Sequence, residues 1–156
     1  MATQLPLATN NADLYHRDYY LWLSHTAQLI KDGKFSEIDA ANLIEEIEDM
    51  GRSEKRAIKS NLIILLLHLL KYKYQPAKRT NSWKASIREH RRRLRDDFKA
   101  SPSLKHYFQE VFAQSYQDSR EQAADETGLP IGTFPTLCPF KAVEVLDSNY
   151  LPPETV

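Results

Sequence analysis

Asn61-Leu62-Ile63-Ile64-Leu65-Leu66-Leu67-His68-Leu69-Leu70-Lys71 decides the fold. From Leu62 to Leu70 every residue but His68 is apolar, and no glycine or proline interrupts the run. It is about half the roughly 20 residues that a membrane span needs. Apolar nearly all round, it reads as the centre of a buried helix against which others pack. Ser53 begins this helix, and it reaches Tyr74 before Pro76 stops it.

Outward from this centre, proline marks where further helices fit. None occurs between Pro6 and Pro76 or between Pro76 and Pro102, and a helix interior excludes proline by about 3 kcal/mol. A first helix is expected from Ala12 to Lys31, with Leu14, Trp22, Leu29 and Ile30 on one face and Gly33 as the stop. Ser36 is expected to cap a second helix that reaches Met50 on an apolar face of Ala40, Leu43, Ile44 and Ile47, with Gly51 ending or kinking it. Asn81 or Ser82 caps a fourth helix through Phe98. Ser101-Pro102 opens a fifth, and Gly128-Leu129-Pro130 closes it after Thr127. A short helix is expected near Lys141–Leu146. No segment alternates as a strand would. The expected fold is therefore all-α: a single-domain bundle of about five main helices over residues 12–150, with an extended, proline-rich C-terminal segment, a flexible arm at 1–11 and a tail at 151–156.

Composition narrows the function classes. The 156 residues hold 21 basic and 21 acidic side chains, a formal net charge of +0. That balance excludes a generally basic nucleic-acid coat and a generally acidic tail protein, while leaving local patches open. The single cysteine excludes an internal disulfide framework and a cysteine-rich zinc site. Met1-Ala2-Thr3-Gln4-Leu5-Pro6 has neither the basic nor the apolar part of a secretory signal. The chain is expected to be cytoplasmic, without membrane contact.

Two constellations stand out. Glu54, Asn61, His68 and Gln75 fall seven apart and form one polar ridge on the central helix. Asp18 and His25, also seven apart, interrupt the apolar face of the first helix, and Glu46 borders that of the second. If these helices meet, Asp18, His25, Glu46 and His68 converge as a metal or acid–base site, which is how bundles hold metals. The alternative is a set of buried polar groups satisfied by their neighbours. No Glu-x-x-His pair and no His-Glu-x-x-His motif supports the metal reading.

On the fourth helix Lys84, Arg88, Arg91, Arg92 and Arg95 share one side, beside a narrow stripe of Trp83, Ile87, Leu94 and Phe98. Such a row suits RNA or DNA phosphates. It equally suits a solvated face, or a partner for the acidic second helix with Asp39, Glu45, Glu46, Glu48 and Asp49. There is no phosphate-cradling glycine loop and no G-x-S-x-G elbow, and Cys138 reads as a buried, unreactive thiol.

The runs Leu43-Ile44-Glu45-Glu46-Ile47-Glu48-Asp49-Met50-Gly51-Arg52-Ser53-Glu54, His68-Leu69-Leu70-Lys71, Tyr74-Gln75-Pro76, Ser82-Trp83, Ser101-Pro102-Ser103-Leu104 and Glu126-Thr127-Gly128-Leu129-Pro130 together resemble a bacterial, mostly cyanobacterial family known as domain of unknown function 29. The likeness covers residues 13–152. It implies a helical fold and carries no established activity. At Tyr72 the family often has tryptophan, which keeps an aromatic there. The expected function is a non-enzymatic helical module that works through protein contacts or as a homodimer. The alternatives are nucleic-acid binding through the fourth helix, and the metal or acid–base site. No catalytic residue and no cofactor is assigned.

Overall fold

A computed structural model describes residues 11–153. Residues 1–10 of the expected arm at 1–11 and the last three residues of the tail lie outside the described residues, and Asn11 opens the first helix. The fold is all-α, with no strand among the described residues. Its helices are α1 (Asn11–Arg17), α2 (Tyr19–Lys31), α3 (Ala40–Tyr74), α4 (Asn81–Ala100), α5 (Leu104–Thr127) and α6 (Ala142–Leu146). The chain divides between Arg52 and Ser53 into two compact units.

The first unit corrects the sequence reading in three places. One expected helix is two, because Asp18 breaks it. Its backbone leaves the helical region at φ −148°, and its carboxylate accepts from the Leu21 amide at 3.0 Å. Asp18 therefore caps α2 rather than interrupting an apolar face. Next, α3 starts at Ala40, behind a 3-10 turn at Phe35–Glu37. Asp39, and not Ser36, stands at its start: the Leu43 amide donates to the Asp39 carbonyl at 3.1 Å, and the Asn42 side-chain amide to its carboxylate at 2.8 Å.

The third correction is continuity. The expected second and third helices are one helix of 35 residues that runs through Gly51. A helical glycine costs only about 1 kcal/mol relative to alanine. Beside it, the Arg52 guanidinium reaches Asp49 at 2.5 Å and Glu45 at 2.8 Å, with Glu48 at 3.8 Å, which ties the turns before the glycine together. The end of α2 follows expectation. Gly33 takes a left-handed φ of 70°, and the Gly33 and Lys34 amides return to Ile30 and Leu29 at 3.1 and 2.9 Å.

The second unit holds the core. Leu62, Leu65, Leu66, Leu69 and Leu70 of α3 are fully buried, packed with Ile87, Leu94, Phe108, Tyr116 and Val145. The central helix is where the apolar run places it. Thr80 caps α4, its hydroxyl accepting from the Trp83 amide at 3.2 Å, one position before the expected cap. The Ser101-Pro102 stretch forms a turn, and α5 begins after it at Leu104. Gly128 ends α5 at φ 70°, as its sequence context predicts. Beyond it, side chains of α5 hold the returning chain: Arg120 Nε donates to the Phe134 carbonyl at 3.0 Å and the Tyr116 hydroxyl to that of Pro135 at 2.5 Å.

Candidate functional site

The four residues of the expected metal site have separate jobs or, for His25, no hydrogen bond or ion pair with the other three among the described residues. Asp18 is the cap of α2, and His25 is exposed on that helix. Glu46 accepts from two phenols, Tyr15 at Oε1 and Tyr19 at Oε2, the latter at 2.5 Å. The Glu46 carboxylate pushes the Tyr15 hydroxyl up to about 12 and raises that of Tyr19, because each phenol gives up its bond to a carboxylate on ionising. Tyr15 also stands edge-on to buried Trp22, with ring centroids 4.9 Å apart. Glu46 is thus a clamp that binds α1 and α2 to the start of α3. Among the described residues, no group of three or more His, Cys, Asp or Glu side chains is placed to hold a metal ion.

His68 belongs to a seam between α3 and α4 that includes two residues of the predicted ridge, Asn61 and His68, while Gln75 falls beyond the end of α3. Its Nδ1 lies 2.8 Å from the Ile64 carbonyl and 3.5 Å from Ser86 Oγ. His90 Nδ1 lies 2.9 Å from Asn61 Oδ1, and the Asn61 amide donates to the Ala57 carbonyl at 2.9 Å. A carbonyl only accepts, so both imidazoles donate through Nδ1–H. Burial, then Arg93 and His68, hold His90 below the ordinary histidine range. Near the start of the seam, burial and neighbouring Glu54 raise Asp97. The seam is a line of satisfied polar contacts.

The basic row on α4 separates into three kinds of residue. Arg91 is buried, 3% exposed; its Nε donates to the Val145 carbonyl at 2.7 Å and its Nη2 to that of Tyr150 at 3.1 Å. It staples the C-terminal segment to α4, with its Nε and Nη2 both taken by backbone carbonyls. Arg92 is held by Glu89 at 2.9 Å and Asp96 at 2.7 Å. Together Arg92 and Arg93 bring Glu89 down to about 2. Lys84, Arg88 and Arg95 are exposed and make no ion pair or side-chain hydrogen bond among the described residues.

Arg95 leads into a groove. A hollow of about 260 Å³ is lined by Arg88, Arg92, Arg95 and Ser148 over the buried Arg91. Sharing Arg95 and Ser148 with it, an open depression of about 580 Å³ continues past Lys99 and Lys105, floored by Phe98, Val143 and Leu146. Lys99 stands four residues beyond Arg95, a helical spacing visible in the sequence. Lys105 and Ser148 come from α5 and from the stretch after α6, and no local pattern points to them.

The family model for the domain of unknown function DUF29 matches residues 14–151, nearly the whole chain. The chain belongs to this family. No curated protein and no solved structure matches it.

This DUF29 chain has a second surface that the sequence reading did not single out. Of thirteen exposed large hydrophobic side chains among the described residues, nine lie between Tyr19 and Met50. Tyr20, Phe35 and Met50 are 79%, 68% and 67% exposed, and Ile44 and Ile47 exceed half. In the same stretch only Trp22 and Leu29 are buried hydrophobics. Ile44 and Ile47 were expected on the apolar face of the second helix, with Ala40 and Leu43. Their helical spacing was legible, but which way the face turns depends on where α1 and α2 pack.

Proposed function

We propose that this DUF29 protein is a non-enzymatic interaction module that associates with a second copy of itself through the apolar surface of residues 19–50. The observation that carries the reading is the concentration of exposed Tyr20, Phe35, Ile44, Ile47 and Met50 in a unit with so small a core of its own. Contiguous exposed apolar surface on a folded chain marks a place where something binds. The charge of the chain supports a second copy as the occupant. Residues 1–52 hold nine acidic and four basic side chains, a net −5; residues 53–156 hold twelve and seventeen, a net +5. Two copies can therefore pair acidic unit with basic unit twice around a two-fold axis, the commonest symmetry of soluble oligomers. A net −5 beside the apolar surface disfavours anionic lipid in the same place.

A non-enzymatic reading agrees with the state of the candidate reactive groups. Asp18 is spent on a cap and Glu46 on two phenols. Burial pushes the Cys138 thiol up to about 11, which leaves little thiolate at neutral pH. Sedimentation velocity over a range of protein concentrations tests the proposal. The expected result is a mass that rises to twice the chain mass, and an Ile47→Asp variant that stays at one. Equal sedimentation of the two proteins at every concentration rejects it.

A further inference from the structure

We infer that the groove of α4, α5 and α6 is the receptor, on one copy, for the apolar face at the start of α3 on the other. The inference rests on the self-association reading above and says where the second copy docks. The groove has an apolar floor and a cationic rim. Val143 on α6 is 75% exposed and sits with Phe98 and Leu146 in the floor. Arg88, Arg95, Lys99 and Lys105 make the rim, and none of them has an ion pair or side-chain hydrogen bond among the described residues. Nearby Arg92 and Arg93 do have such partners. The rim is thus the part of this basic surface left open to an outside acid.

The start of α3 is the complementary shape. Ala40, Ile44, Ile47 and Gly51 follow one another at intervals of four, three and four, which puts them on one face. Ile44, Ile47 and Gly51 are all exposed, and Glu48 lies beside them. Gly51 is otherwise unexplained. It has no positive φ, and a Cβ built there meets nothing within 4 Å. Neither backbone conformation nor packing among the described residues calls for glycine, yet an unnecessary helical glycine costs stability. A bare patch on an apolar face lets a partner's surface come close. The apolar floor of the groove is such a surface, and the charges agree, since the −5 unit of one copy meets the +5 unit of the other.

The groove favours this occupant over nucleic acid. Asp96 lines its first part and Asp147 its second, and both repel phosphodiesters. The aromatic rings nearby, Phe98 and Phe108, are buried at 6% and 2% exposure, so neither offers an open face for a base. Ile44 and Ile47 instead offer the floor an exposed apolar surface that a phosphodiester lacks.

The test uses the full chain in three forms: wild type, Ile47→Asp, and the double variant Arg95→Glu, Lys99→Glu. All three substituted side chains are exposed, and circular dichroism confirms that each form folds. In sedimentation equilibrium the wild type is expected to dimerise. Each variant alone is expected to be at least tenfold weaker. An equimolar mixture is expected to recover a dimer, because one intact α3 face then meets one intact groove. If the double variant dimerises like wild type while Ile47→Asp does not, the groove inference is overturned and self-association stands. If Ile47→Asp dimerises like wild type, or wild type stays monomeric, both fall together. If wild type retains a labelled 20-nucleotide strand at low salt, and the double variant loses the strand but keeps the dimer, the groove is a nucleic-acid site instead.

Discussion

Arg91 Nε donates to the Val145 carbonyl at 2.7 Å, across 54 residues of sequence, while its Nη2 reaches the Tyr150 carbonyl. One buried guanidinium thus holds α6 and the stretch after it against α4. Burial disfavours its charge, and Asp147 is the main charge that compensates. Arg91→Ala leaves two carbonyls without their donor and a cavity behind them. The expected cost is about 2–4 kcal/mol in chemical denaturation. Limited proteolysis should then cut near Val145–Tyr150 first. Arg88→Ala, on the same helix but exposed, is expected to change stability by no more than about 0.5 kcal/mol. Equal effects from the two would show that Arg91 is not a staple.

The tyrosine clamp on Glu46 predicts an alkaline transition. Tyr15 ionises near 12 rather than its ordinary 10.0. The folded state keeps its proton longer than the unfolded one, so the clamp's contribution is fully present below pH 10. It fades as pH rises through about 12. Thermal melts from pH 9 to 12 should show this fall in wild type and a shallower one in Tyr15→Phe. Burial raises Tyr74, Tyr116 and Tyr150 whatever stands at position 46, so absorbance at 295 nm is read as a difference: Glu46→Ala should bring Tyr15 and Tyr19 back toward the ordinary value. Titration curves that coincide in wild type and Glu46→Ala contradict the clamp.

The seam between α3 and α4 predicts the opposite sign on the acid side. His90 is held below its usual range by burial, then by Arg93 and His68, with Glu89 acting against them; Asn61 faces it from α3. A depressed histidine favours the neutral form in the fold. Its contribution is present above the unfolded value of about 6.5 and is lost as pH falls through the folded one. In NMR the His90 ring should titrate below a random-coil histidine, and melts of His90→Gln should fall less steeply than wild type below pH 6.5. A His90 midpoint at or above the random-coil value contradicts this.

These groups differ in how far the sequence exposes them. The core was plain, because a nine-residue apolar run with one histidine admits little but a central helix. The ridge of Asn61 and His68 was also plain, but its partners were not. Which residues of α4 face them depends on the turn at 75–80, and that turn brings His90 to Asn61 and Ser86 to His68. Arg91 was legible and missed: it stands four residues after Ile87 and three before Leu94, squarely on the buried stripe, yet it counts as one more arginine in a basic row. Asp18 misled for the opposite reason. It keeps helical spacing with Leu14 and Leu21, and only its capping bond to the Leu21 amide reveals a break. Lys105 and Ser148 join the groove by tertiary packing alone.

Gly51 separates the needs of the free chain from those of an interface. In the free chain a methyl group at this position meets nothing and spares the helix a flexible residue. Gly51→Ala should therefore stabilise dilute protein by about 0.5–1 kcal/mol. At the contact proposed for α3, the same methyl group stands between two surfaces and weakens self-association. The two effects have opposite signs, so one variant measures both: denaturation of dilute protein for the first, sedimentation of concentrated protein for the second. A variant that is more stable and dimerises as well as wild type removes Gly51 from the contact, and leaves Ile44 and Ile47 to carry it. A variant that is no more stable when dilute means that the glycine already serves the free chain.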